Sequence, residues 1–143
     1  MSRDLVLRVI GKLLIPFILL FAVYVQFHGE LGPGGGFQAG VILAASIILY
    51  ALIFGLQAAR RLMPDALVET MVAAGVLLYG LVGVAGMVLG GNFLDYFVLH
   101  ADSVHGQLRG VFWVEVGVAI TVSGVMLKIF YLFAGRGADE TRL

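Results

Sequence analysis

The sequence predicts an all-α integral membrane protein of four transmembrane helices with both termini in the cytoplasm. Three observations predict it. The chain of 143 residues is 61% hydrophobic and only 13% charged, with a mean hydropathy of +1.04. Its charged residues fall in narrow bands that leave four apolar runs, and its Lys and Arg gather on alternate connections. A globular chain is about 25% charged, so this one has about half the charge that a water-facing surface needs. Lys+Arg and Asp+Glu balance at 9 each, which leaves no basic excess for nucleic acid. The absence of cysteine excludes disulfides, thiolate-bound zinc, iron–sulfur clusters and c-type haem, and no cofactor or metal site is expected.

Crossing ~30 Å of hydrocarbon takes about 20 apolar residues in a helix. The first run, about 5–27, carries Lys12 but is uncharged from Leu13 to Gly29. Arg3, Arg8 and Lys12 resemble the basic region of a signal peptide, yet the apolar stretch is long for one and no small-x-small cleavage site precedes His28, so a retained helix is expected. Pro16 cannot donate to the Lys12 carbonyl and predicts a kink. The second span, about 37–57, lies in a stretch without charge between Glu30 and Arg60. The third, about 67–89, is uncharged from Thr70 to Leu94. The fourth, about 110–133, carries a charge toward each end, Glu115 and Lys128. Together they form a single membrane domain, 1–143, without repeats or low-complexity tracts.

Lys and Arg mark the cytoplasmic side. Arg3, Arg8 and Lys12, then Arg60 and Arg61, then Lys128, Arg136 and Arg142 fall on one side, and only Arg109 falls on the other. The outer face then carries His28, His100 and His105 with Glu30, Asp95 and Asp102. The spacing His100-x-Asp102-x-x-His105 provides no compact ligand set, and the connection holding it, with Tyr96, Phe97, Val98 and Leu99, reads as an amphipathic loop lying on the membrane or on a partner.

Twenty glycines, half of them inside the spans, point to close helix contact, because small residues rather than hydrophobicity drive packing in lipid. Gly80, Gly83, Gly86 and Gly90 line the third span, Gly110, Gly117 and Gly124 recur every seven residues in the fourth, and Gly36, Gly40 and Ala44 every four in the second. Either one of these seams receives a partner protein or all are used within the chain.

Between the first two spans stands His28-Gly29-Glu30-Leu31-Gly32-Pro33-Gly34-Gly35-Gly36-Phe37-Gln38-Ala39-Gly40. Successive glycines that open a helix can turn backbone N–H groups outward as an anion-binding nest. The Lys-Ser/Thr that closes a Walker sequence is missing, so a phosphate loop is not supported. The structural alternative is a tight turn that starts the second helix and lets another backbone lie against it, and composition alone favours that alternative.

The element Pro33-Gly34-Gly35-Gly36-Phe37-Gln38-Ala39-Gly40, preceded by His28-Gly29 and placed between the first two of four spans, resembles the MnhB family, small membrane subunits of the multisubunit sodium/proton antiporters of the Mrp or Mnh type. Val114-Glu115-Val116-Gly117-Val118, followed by Gly124-Val125, is similar to the acidic-x-Gly-Val helix of that family. The likeness covers essentially the whole chain. One departure stands out: many members carry histidine where this chain has Glu30, and here His28 comes before Gly29. The resemblance implies a non-catalytic membrane subunit of a hetero-oligomeric complex that exchanges cytoplasmic Na+ for external H+ in a bacterial or archaeal plasma membrane. Its partners would include complex-I-like antiporter subunits. Related subunits occur in ion-translocating membrane hydrogenases.

Within the spans, an ionisable group is a functional hypothesis by default. Glu115 is about one and a half turns, ~9 Å, inside the predicted outer end of its helix. A carboxylate there can accept a proton or bind a hard cation with carbonyl oxygens and water; equally, it can fix assembly through an ion pair or hydrogen bond. Glu115, with His28 and Glu30 at the outer mouth, is thus an ion-path candidate. Lys12 and Lys128 can snorkel to the inner interface. An autonomous four-helix transporter, in which Glu115 alternates between proton and substrate, is the competing reading. An enzyme lacks a nucleophile–base pair.

Overall fold

In a computed structural model of the protein, residues 2–29, 34–99 and 103–140 are described. Their helices are α1 (Ser2–His28), α2 (Gly36–Phe54), α3 (Leu56–Leu62), α4 (Asp65–Val88) and α5 (Ser103–Glu140), with a one-turn 3-10 helix at Tyr96–Leu99. Four of them contain stretches long and apolar enough to cross a membrane: Leu5–His28, Gly36–Phe54, Asp65–Val88 and His105–Arg136. Among the described residues the chain is all-α, with four membrane-length helices.

Apolarity and helix length diverge at two places. The second span was expected to reach residue 57, but the helix stops at Phe54 because Gly55 takes up φ +97, and α3 starts afresh beyond it. The fourth was expected to start at 110, whereas α5 begins at Ser103 and runs for 38 residues, about 57 Å. Hydropathy marks the part of a helix that suits lipid, and the polar turns at its ends are invisible to it. The helix α1 continues through Pro16.

Small residues let the helices close on one another. Gly11 of α1 faces Ile53, and the α1 side chains Ile15 and Ala22 are buried. A Cβ on Gly40 would stand 2.7 Å from the Ala119 carbonyl oxygen, which brings α2 onto the backbone of α5. On the other flank of α5, Gly117 and Gly75 face each other: a Cβ on either would lie within 3.0 Å of the other's carbonyl oxygen, at 2.9 and 2.5 Å. Gly124 continues that seam beside Val68 and Val72.

The resulting order is α1–α2–α5–α4. The helix α5 packs along both α2 and α4, α2 packs along α1, and α1 touches α5 only near its C-terminal end, where Phe27 stacks on Phe112. The four helices therefore form a single layer, not a closed bundle. Even in α2, the most enclosed of them, only 33% of the apolar window is buried, and in α4 17%. The best-enclosed core lies at the Gly55 end, where Ala44, Ile47, Ala51, Ala59, Val68, Leu127 and Tyr131 cluster. There the Tyr131 hydroxyl donates to the Met63 carbonyl at 3.1 Å, and the Arg60 guanidinium lies 5.5 Å from the centre of the Tyr131 ring.

The described part of the connection between α4 and α5, residues 89–99, folds back onto its own helices. The Phe93 ring covers Gly83, and the Tyr96 ring covers Gly110, each so closely that a Cβ there would fall inside the ring's contact distance, at 2.1 and 2.3 Å. Gly90, at φ +91, ends α4, and the Asp95 carboxylate accepts the Phe97 N–H at 3.2 Å.

Candidate functional site around Glu115

The end of α1, the start of α2 and the middle of α5 meet at Glu115. Glu115 Oε1 is 2.9 Å from the place a Cβ on Gly35 would occupy, and Oε2 is 3.1 Å from the equivalent place on Gly29. The backbone is equally close: a Cβ on Gly36 would stand 2.0 Å from the Glu115 carbonyl oxygen, and one on Gly34 would stand 2.9 Å from the Val25 carbonyl oxygen. Only glycine leaves room for these approaches. Gly35 also takes φ +127, which side chains rarely adopt, and its carbonyl accepts the Ala39 N–H at 3.0 Å to open α2.

Of the two alternatives for the glycine run, close approach to a neighbouring backbone is what Gly34 and Gly36 make, with the Glu115 side chain beside Gly35. The N-terminus of α2 carries no acidic residue in its first turn and no side-chain cap. A carboxylate set there complements the positive end of the helix dipole, an effect of about 0.3–1 kcal/mol at exposed sites and up to ~2 in partly buried ones.

Depth differs from the sequence estimate. Glu115 is twelve residues into α5, about 18 Å along its axis, because that helix starts earlier than expected. It is nevertheless level with the ends of α1 and α2, since Gly29 and Gly35 flank it. Beyond Leu78, which lies beside Gly117, α4 runs on for ten residues, about 15 Å, so α4 and α5 project past the level of Gly29 and Gly35. Tyr24, Phe27 and Trp113 are each more than half exposed near this level, as in the aromatic belts of membrane boundaries.

His28 stacks on Tyr24, with ring centres 5.1 Å apart, and is not among the groups nearest the turn glycines. Glu30, Pro33, His100 and Asp102 lie outside the described residues. Phe37 is exposed, while the Gln38 amide oxygen is 3.6 Å from the Cβ position of Gly35. Of the packing glycines, Gly40, Gly117 and Gly124 contact helices, Gly83, Gly86 and Gly110 contact the α4–α5 connection, and Gly80 and Gly90 meet nothing within 4 Å among the described residues.

Sequence reasoning passed over three features. Glu69 of α4 forms an ion pair with Lys128 of α5, with side chains 61% and 33% exposed. In the sequence Glu69 resembles an ordinary boundary charge; its position five residues into α4, opposite a lysine near the end of an antiparallel neighbour, was the available signal. Gly75 falls outside the glycine stripes although it makes the closest α4–α5 approach. Gln26, inside the apolar run of α1, is 9% exposed, and a lone amide there was signal enough.

A layer of four membrane-length helices, with a carboxylate enclosed where three of them meet, defines a multi-pass α-helical membrane protein that holds an ionisable group among its helices. Comparison with known proteins is specific. The chain belongs to the MnhB family, described as a domain related to the MnhB subunit of Na+/H+ antiporter, whose model matches residues 6–128. It is similar to the B-type subunit of the Na+/H+ antiporter from Bacillus subtilis, 35% identical over 131 residues that cover 85% of this chain and 91% of the relative. The corresponding Na+/H+ antiporter subunit of Alkalihalophilus pseudofirmus is 28% identical over 85% of this chain and 90% of its own. The putative antiporter subunit mnhB2 of Staphylococcus haemolyticus is 30% identical over 94% and 96%. These relatives are subunits of transporters, and the family match takes in both Glu115 and the glycine turn.

Proposed function

We propose that this chain is a non-catalytic membrane subunit of a multisubunit Na+/H+ antiporter in the cell membrane, with both termini cytoplasmic, needed for assembly of the complex and lining its ion path at Glu115. The single-layer arrangement carries the reading: a row of four helices encloses no passage of its own, and both of its faces are free to meet other subunits. The names of the relatives support antiport over a hydrogenase-associated role. The same arrangement disfavours an autonomous transporter, in which one chain must supply the whole route.

Glu115 has two uses open to it, and the substitution Glu115→Gln separates them. An amide of the same shape keeps the turn packed but cannot take up and release a proton at physiological pH. With Glu115 in the ion path, the tagged variant copurifies with the other subunits in normal amount, and Na+-dependent proton movement in vesicles is lost. Normal exchange by Glu115→Gln would take Glu115 out of the path and leave it the anchor of the α2 N-terminus. A homogeneous small oligomer of the native chain alone, purified in mild detergent and exchanging cations in liposomes, would overturn the subunit reading itself.

A further inference from the structure

Between α4 and α5, at the ends that their connection joins, runs an open groove of about 430 Å3. It is lined by Leu81, Val82 and Ala85 of α4, by Arg109 and Trp113 of α5, and by Leu99 of the connection. Arg109 and Trp113 are four residues apart and share a face of their helix. Apart from the guanidinium and the indole N–H, the side chains along the groove are hydrocarbon. Near the opposite end of the layer, Arg60 and Lys128 pair with Asp65 and Glu69. Arg109, by contrast, is exposed and forms no ion pair among the described residues.

The depth of this cation follows from the helix that carries it. Arg109 and Lys128 are nineteen residues apart on α5, about 28 Å along its axis, and only Glu115 is charged between them. That spacing matches the ~30 Å of bilayer hydrocarbon, so the two cations stand at opposite boundaries of the apolar layer. Trp113, about 6 Å inside Arg109, is 51% exposed at the level where indole rings gather in membranes. The groove continues inward, because Leu78, which also lines it, lies beside Gly117, about 12 Å past Arg109. One uncompensated cation at headgroup depth is thereby joined to an apolar trough that runs into the hydrocarbon.

We propose that this groove binds an anionic phospholipid, with the phosphate on Arg109 and one acyl chain laid along Leu78, Val82 and Ala85. A phospholipid carries an anion and a hydrocarbon chain in one molecule, in the order and at the depth that the groove presents them. The planar guanidinium donates two parallel hydrogen bonds to phosphate oxygens, a geometry that an ammonium does not offer. A zwitterionic headgroup brings its own cation to the phosphate and gains less from Arg109, so the site favours a headgroup of net negative charge. A helix of a neighbouring subunit would meet the apolar walls as well, but it would also have to bring a carboxylate to the level of Arg109. The site makes no use of Glu115 and does not depend on antiport.

The single tryptophan of the chain, Trp113, borders the groove and reports on what fills it. The full chain is reconstituted in phosphatidylcholine vesicles, and a minor, equal fraction of lipid with brominated acyl chains, which quench indole emission on contact, is supplied as phosphatidylglycerol or as phosphatidylcholine. Brominated phosphatidylglycerol is expected to compete for the position beside Trp113 about fivefold better than brominated phosphatidylcholine, the advantage that one cation near a membrane surface confers. Arg109→Gln is expected to abolish the preference and leave only the unselective quenching of surrounding lipid. Ala85→Phe, which fills the groove and keeps the charge, is expected to do the same. Equal quenching by the two lipids in the native chain would overturn the proposal, as would a preference that survives either substitution. Quenching by neither lipid would also overturn it and would mean that a second copy of the chain covers the groove. Because emission does not read transport, the outcome is independent of whether Glu115 lies in an ion path.

Discussion

Replacing Gly36 by alanine tests the closest approach in the molecule. The added Cβ would stand 2.0 Å from the Glu115 carbonyl oxygen, 2.7 Å from its carbon and 2.9 Å from its Cα. Carbon–oxygen contacts of this kind close at about 3.3 Å, so α2 must retreat from α5 by ~1.3 Å. All three obstructing atoms are backbone, and no side-chain rotation relieves the clash. Overpacking costs typically 1–3 kcal/mol, and a backbone-to-backbone case belongs at the upper end. Gly36 is the first residue of α2, so little helix propensity is regained. The control is Gly80→Ala, inside α4, where an added methyl meets nothing within 4 Å; there the change gains roughly 0.5–1 kcal/mol of helix propensity. The two Gly→Ala changes should thus differ by about 3.5 kcal/mol, or several hundredfold in the folded-to-unfolded ratio. The assay is the midpoint temperature for loss of the monodisperse fraction of purified chain in mild detergent. Gly36→Ala should fall well below the native chain, and Gly80→Ala should match or exceed it. Equal midpoints for the two variants would refute the claim that α2 and α5 touch backbone to backbone at the turn.

The Glu69–Lys128 pair is partly exposed, so screening limits its worth, and interhelical hydrogen bonds in membrane proteins average about 0.6 kcal/mol. A double-mutant cycle with Glu69→Gln and Lys128→Met should return a coupling of that order; a coupling of zero would mean that the pair does not hold α4 to α5. In the α4–α5 connection, the Tyr96 phenol is pushed above its ordinary 10.0, first by burial and then by nearby Tyr79. The folded protein therefore holds that proton more tightly than the unfolded chain. The stability linked to it is complete below about pH 10 and lost as pH rises through the folded value. Emission from the single tryptophan, Trp113, should report an alkaline transition above pH 10 in the purified chain. The transition should be absent in Tyr96→Phe, and its persistence there would assign it to another group.

The spans were legible because lipid demands long apolar runs, and a long apolar run leaves a mark on composition that no tertiary contact erases. Their ends were less so. The break at Gly55 depends on one backbone torsion, and the added turns of α5 from Ser103 are polar enough to resemble a loop. The two halves of the site were each visible, Glu115 as a charge in a span and the glycine run as a turn. Their meeting was not, because eighty residues separate Gly35 from Glu115 and nothing local encodes which helices become neighbours. The same reasoning accounts for Glu69, whose significance arises only from Lys128, 59 residues away. Gln26 was lost differently, as one polar residue averaged into an apolar window.

The order α1–α2–α5–α4 has a consequence for how the molecule comes into being. The helices α1 and α2 form one hairpin, and α4 and α5 form another, each held by contacts between elements near in sequence. The α2–α5 seam, with the smaller α1–α5 contact, joins them over a long loop closure, and such closures come late because their entropy must be met before the contact rewards it. The turn glycines belong to the first hairpin and Glu115 to the second. The site therefore has no precursor in either half: it comes into existence when the hairpins dock, and the enclosed carboxylate is a mark that docking is complete.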